Sequence, residues 1–122
     1  MVSLNVKLWK GIMGLVPGVE SDACLFLKAS NPGHKTVVVT VSSFLLPDGR
    51  DMVFPYPQSS VTFPFKLEPE QQCMIWIDLK KIGNLLRSEG FSGTVRLLGY
   101  YQDAVGRRHK SKPYKLDVDV WG

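Results

Sequence analysis

The last third of the chain constrains the fold most. Two runs rich in β-branched and aromatic residues, 94–101 and 108–120, flank the tetrapeptide Asp103-Ala104-Val105-Gly106. Asp at the first position of a turn accepts bonds from backbone N–H groups just ahead of it, and Gly at the last accepts positive φ. The pattern predicts a closing β-hairpin. It also holds the one dense run of like charge in the sequence: Arg107, Arg108, His109, Lys110, Lys112 and Lys115.

Upstream, short extended runs alternate with glycine and proline turns. Residues 2–8 place Val2, Leu4, Val6 and Leu8 against Ser3, Asn5 and Lys7, a period of two that marks a half-buried strand. Gly11 and Gly14 suggest a bend or bulge before Pro17-Gly18. A second strand over 23–29 stops at Asn31-Pro32-Gly33. A third, over 36–46, puts Val37, Val39 and Val41 on one face and Val38 with Phe44 or Leu45 on the other if a bulge intervenes. It ends at Pro47-Asp48-Gly49. A short return over 52–54 leads into Pro55, Pro57 and Pro64, which predict a loop or a ragged edge strand. Residues 72–77 are apolar on both faces, which predicts a central strand with Trp76 in the core. One helix, about 79–89, is expected: Asp78 is a good N-cap, Leu79, Ile82, Leu85 and Leu86 recur at helical spacing, and Gly90 suits the position past its end, with Phe91 folding back on Leu86. Seven or eight short strands and one short helix predict an all-β, antiparallel two-layer fold.

A chain of 122 residues is long enough for one domain with a core of its own, and residues 1–122 are read as one. The apolar fraction of 44% and charged fraction of 21% are those of a globular protein, and the net charge of +4 is too modest by itself to declare a nucleic-acid binder. The amino-terminal stretch has Lys7 and Lys10 inside its apolar run and does not read as a signal peptide. No apolar run reaches the roughly 20 residues of a membrane span. A soluble cytoplasmic protein is the expectation.

The order of these signals resembles that of small bacterial immunoglobulin-like proteins of unknown function, often encoded near mobile DNA such as phages or gene cassettes. The residues that carry it are Asn31-Pro32-Gly33 closing a strand, Leu46-Pro47-Asp48-Gly49 closing the valine-rich one, and Leu67-Glu68-Pro69 before a strand. The short helix ending at Gly90 and the Asp103–Gly106 hairpin before Ser111-Lys112-Pro113 complete it. The resemblance spans nearly the whole chain and implies an immunoglobulin-like β-sandwich of seven or eight strands. It implies no activity, because one fold hosts many functions. Antibody-type domains join their two sheets by a disulfide with a tryptophan packed on it. Here Cys24 and Cys73 fall on the second and sixth predicted strands, neighbours in one sheet of such a fold, and are expected to stay as thiols.

Residues with chemistry are sparse. No Gly-x-Ser-x-Gly elbow or Gly-Lys-Ser/Thr phosphate loop is present, and Asp117 and Asp119 read as the polar side of an alternating strand. His34 and His109 adjoin turns without metal-ligand spacing and are expected to be solvated. No catalytic residue, metal or cofactor is assigned. Two candidate surfaces remain. Arg107, Arg108, His109, Lys110 and Lys112, with Tyr100, Tyr101 and Tyr114 near in sequence, form a candidate polyanion site, or else a lysine-protected edge strand. Trp9 and Trp121, read either as packed on each other or as exposed, join Phe54 and Tyr56 as candidate protein contacts. The sequence thus points to a non-enzymatic binding or assembly module. Its expected partner is a protein or a second copy of itself, met through sheet edges or loops. Weak nucleic-acid binding through the hairpin is the alternative, and no membrane is involved.

Overall fold

The computed structural model describes residues 4–12, 23–52 and 58–121. Two antiparallel sheets enclose one core. The first is ordered β1-β2-β6-β4, from β1 (Asn5–Ile12), β2 (Ala23–Ser30), β6 (Gln72–Asp78) and the two-residue β4 (Gln58–Ser59). The second is ordered β5-β3-β7-β8, from β5 (Phe65–Leu67), β3 (Val37–Leu45), β7 (Thr94–Asp103) and β8 (Arg108–Lys110), with β9 (Tyr114–Asp117) also paired to β7. The all-β expectation holds in this form.

Period-two patterning decides what each sheet hides. On β7, Val95, Leu97, Tyr101 and Asp103 point inward while Thr94 and Arg96 face solvent. From β2 and β6, Leu25, Leu27, Ala29, Cys73, Ile75 and Ile77 meet them across the core. Gly99 lets the layers close, since a Cβ there would stand 2.3 Å from Leu27 Cδ1. Tyr101 crosses the core, its phenol donating to the Leu27 carbonyl. Burial raises its pKa far above the ordinary tyrosine value.

The helix α1 (Leu79–Ser88) forms where its caps predict. Asp78 accepts from the Lys80 N–H at 2.8 Å. At the far end Gly90 takes φ +90°, its N–H reaches the Arg87 carbonyl at 3.0 Å, and the Phe91 N–H reaches the Leu86 carbonyl at 3.0 Å. That doubly bonded terminus brings Phe91 onto the core. The Asp103–Gly106 turn also closes as its residues dictate. Gly106 has φ +89°, its N–H bonds the Asp103 carbonyl at 3.0 Å, and Asp103 N–H bonds the Arg107 carbonyl at 2.9 Å.

Several expectations need correction. β1 runs through Gly11 in unbroken register with β2, so Gly11 makes no bulge. Its missing side chain instead admits Phe26, whose Cε2 lies 2.7 Å from where a Cβ would be. The bulge in β3 falls between Val39 and Val41, which turns Val41 outward to solvent rather than inward with Val37 and Val39. The last strand stops at Asp117, and Val118–Trp121 form a second short helix, α2, instead of continuing the alternation. Asp117 caps that turn by accepting from the Asp119 N–H at 2.9 Å, and the Val118 N–H bonds the Gly93 carbonyl at 2.9 Å. Trp76 is only half buried, because its side of β6 is the outer face of the first sheet. Cys24 and Cys73 do sit on neighbouring strands, but Cys24 is opposite Asp78 and Cys73 opposite Ala29. Five residues of strand separate those positions, roughly 17 Å, and no disulfide links them.

Asn31, read from sequence only as a turn residue, is buried and ties the ends of the two sheets. Its Nδ2 donates to the carbonyls of Leu67 (2.9 Å) and Lys35 (2.8 Å), and its Oδ1 accepts from the Gly33 N–H (3.0 Å).

Candidate functional site

The basic hairpin is brought together only in part. Alternation on β8 turns Arg108 and Lys110 outward and His109 inward. His109 is therefore no solvated turn residue. It is 9% exposed, its Nε2 bonds Asp103 Oδ2 at 2.9 Å, and its Nδ1 accepts from the Leu4 N–H at 3.3 Å. This assignment places the proton on Nε2, and both ring nitrogens are committed. The bond to Leu4 joins the amino-terminal edge of the first sheet to the second. Asp103 Oδ1 in turn accepts from the N–H groups of Val105 (3.1 Å) and Arg107 (3.0 Å). Burial works to raise the Asp103 pKa, yet the bonds from His109, Arg107 and Val105 outweigh it and hold the carboxyl below the usual aspartate value. The pair resembles half of a catalytic triad, but no ring nitrogen is left to activate a nucleophile.

Arg108 is also engaged. Its guanidinium lies 4.4 Å from the Tyr100 ring centroid, Nη2 bonds Asp51 Oδ2 at 3.3 Å and Nε bonds Gln102 Oε1 at 3.3 Å. The Tyr100 hydroxyl donates to Asp51 Oδ1 at 2.9 Å. Tyr100 is buried under this network although its side of β7 is the outer one, and burial, followed by the Asp51 contact, raises its pKa. Tyr101 faces the core and Tyr114 is half buried on the inner side of β9, opposite Leu97. Among the described residues no tyrosine therefore stands open beside the basic residues. Arg107, Lys110 and Lys112 remain exposed. Lys112 owes its place to a bulge: Ser111, Lys112 and Pro113 stand opposite only Leu98 and Gly99, and Ser111 Oγ accepts from the Gly99 N–H at 2.9 Å. The same face adds Arg96, directly opposite Lys115, both exposed.

The other outer face is built differently. Register sets Trp9 opposite Phe26 and Phe26 opposite Trp76, a cross-strand row of three aromatics. Trp9 and Phe26 stack, with centroids 5.5 Å apart and planes at 15°, and Phe26 to Trp76 is 6.3 Å. Phe26 is buried within the row, whereas Trp9, on the edge strand, is 37% exposed. The next row pairs Lys7 with Lys28 and Lys28 with Met74. Lys28 Nζ approaches the Trp9 centroid to 5.9 Å. Neither lysine has a carboxylate partner among the described residues. Among the described residues β6 brings one acid to this face, Asp78, and it already accepts from the helix it caps.

Trp121 does not join Trp9. Lys10 follows Trp9 and so points to the opposite side of β1, and its Nζ lies 5.9 Å from the Trp121 ring, which packs half-buried against the core. Phe54 and Tyr56 lie outside the described residues. The members of the Trp9 face that sequence reading missed are Lys7, Phe26 and Lys28. A signal existed, since Lys7 and Trp9, like Phe26 and Lys28, are two apart on their strands. What joins the two pairs is the β1–β2 register.

Among the described residues no three His, Cys, Asp or Glu side chains stand together as a metal site. Burial pushes the Cys73 thiol up to about 11, which keeps it a poor nucleophile near neutrality. Among these residues no helix is long and apolar enough to cross a membrane. Comparison with family models, curated proteins and solved structures found no match.

Proposed function

We propose that this chain is a non-enzymatic binding module, an immunoglobulin-like sandwich that meets its partner through the outer face of β1 and β2 around Trp9. The strand orders β1-β2-β6 and β3-β7-β8 parallel the A-B-E and C-F-G orders of that fold. The outer strands depart from it, since β4, on the free side of β6, precedes β5, on the free side of β3, in the chain. A face suits the role better than the short edges do. β4, β5 and β8 are two or three residues long, and β8 carries Arg108 and Lys110, features that discourage strand addition. The long free edge is that of β1, eight residues, the same strand that carries Trp9. The observation that carries this reading is Trp9: a stacked indole left 37% exposed on a sheet face beside two lysines that have no acidic partner among the described residues. The partner is another macromolecule or a second copy of the chain.

The test is a photo-crosslinking amino acid placed at Asn5, exposed on the same side of β1 as Lys7 and Trp9, with one at Lys81 on the exposed side of α1 as control, in cells that express the chain. Adducts are expected from position 5 and not from 81. Equal yields, or none, would remove the Trp9 face as the contact.

One observation favours a second reading, polyanion binding along the β7–β9 side. Arg96 and Lys115 face each other directly, an arrangement that costs stability unless an anion offsets it, and Arg107, Lys110 and Lys112 extend the same side. Reversing Arg96 and Lys115 to Glu would abolish retention on heparin at low salt if this reading holds.

A further inference from the structure

We infer that the Trp9 face takes a single strand of nucleic acid, with a base stacked on the indole and the adjoining phosphates held by Lys7 and Lys28. This rests on the reading of that face as the contact surface and adds the chemical class of its occupant.

Three features on the face favour that class. First, Lys7 and Lys28 are directly opposite each other across β1 and β2. Like charges so placed repel, and no carboxylate among the described residues relieves them. A phosphate between them does. Second, the aromatic beside them is fixed before any ligand arrives. Phe26 stacks on Trp9 at 15° and itself abuts Trp76 at 6.3 Å. Phe26 reaches this position because Gly11 offers no side chain in its way. A preordered ring loses little freedom when a base is added to it. Third, the spacing is that of alternate residues on one strand. Lys7 and Trp9 project from the same side of β1 roughly 6.6 Å apart, so stacking surface and phosphate partner serve neighbouring parts of one nucleotide chain.

Other occupants use only part of this. An acidic peptide satisfies the lysines and leaves the exposed indole without a flat partner. A duplex supplies phosphates but keeps its bases stacked inside. The opposite face of the molecule offers cations without an open ring, since Tyr100 is buried beneath Arg108.

The test is titration of the purified chain into a fluorescently labelled oligothymidylate of about ten nucleotides, a length within single-strand site sizes. Saturable binding at low salt is expected, with a log–log salt slope of about −1.4 for two phosphates. Trp9→Ala is expected to weaken binding about tenfold or more, while Trp9→Phe retains most of it. Lys7→Glu with Lys28→Glu is expected to abolish it, and Lys110→Glu with Lys112→Glu to change it less than twofold. Circular dichroism of each variant checks that it folds, and Trp9→Phe with the lysine pair keeps the test open if Trp9→Ala does not. Absence of binding by the unaltered chain overturns the inference. So does equal affinity for the matching duplex, or a loss that follows the hairpin lysines instead of Trp9. If crosslinks form from position 5 while the oligonucleotide does not bind, only the occupant is wrong. If neither occurs, the face itself is refuted.

Discussion

The two outer faces of this molecule use the same ingredients and reach opposite results. On the second sheet a cation covers an aromatic ring and the pair is sealed: Arg108 lies 4.4 Å from the Tyr100 centroid, both bond Asp51, and Tyr100 is 3% exposed. On the first sheet Lys28 lies 5.9 Å from the Trp9 centroid, no carboxylate among the described residues holds either group, and the ring stays partly exposed. The difference is one acidic residue. Asp51 follows the Leu46–Gly49 turn and bridges to Leu45, which carries its carboxylate onto the outer face beside Tyr100. Nothing comparable among the described residues reaches Trp9. Cation and aromatic at diagonal positions on neighbouring strands thus make an internal brace where a carboxylate completes them and an available surface where none does.

Truncating each ring tests that contrast most severely. Tyr100→Ala removes a buried aromatic with its contacts to Asp51 and Arg108, and is expected to cost about 3 kcal/mol of folding stability. Trp9→Ala removes a ring already partly in water and is expected to cost roughly 1 kcal/mol. Urea denaturation of both variants decides the matter. Equal losses would mean that Trp9 is as structural as Tyr100, and the case for an available face would fail.

A somewhat smaller effect is expected at the base of the sealed face, where Asp103 holds the turn and His109. Its folded pKa lies below the ordinary aspartate value, so the native state favours the ionised form. The stability this gives is complete above the unfolded pKa of about 3.9 and is lost as pH falls through the lower folded value. Asp103→Asn is expected to cost about 2 kcal/mol at pH 7 and to flatten the decline in stability below pH 4. An unchanged acid limb would show that Asp103 does not link the hairpin to folding. Tyr100 has the opposite sign. Its raised pKa means that the neutral phenol is favoured, so its contribution is present below about pH 10 and disappears as pH rises beyond that.

Much of the layered architecture was legible because local rules suffice for it. Turns at Gly49 and Gly106 and the caps of α1 each follow from a few adjacent residues, and each formed as expected. What stayed hidden depends on pairs far apart in the chain. His109 reads as a solvated turn residue until Leu4, 105 positions away, supplies its N–H. Asn31 reads as turn chemistry until Leu67 offers its carbonyl. Trp121 reads as a strand-end contact until Asp117 caps a helical turn and packs the indole inward. The candidate surface was half legible in the same sense. Trp9 is conspicuous by size, but its setting of Phe26, Lys7 and Lys28 exists only once β1 and β2 are in register.

The smallest effect discriminates most finely, because it isolates the cation–aromatic contact from burial. In a double-mutant cycle, Arg108→Ala and Tyr100→Leu are expected to show a coupling of about 0.5–1 kcal/mol, the range of a cation–π contact held in place. Arg108 is confined by Asp51 and Gln102, so little further freedom is lost when it meets the ring. The matching cycle, Lys28→Ala with Trp9→Leu, is expected to give coupling indistinguishable from zero in the protein alone. The distance is longer, and a lysine with no second anchor samples many positions. Coupling of equal size in both cycles would show that Lys28 is already committed to Trp9 and leaves no cation for an incoming anion. Coupling that emerges only when oligonucleotide is present is the outcome expected of a surface completed by its ligand.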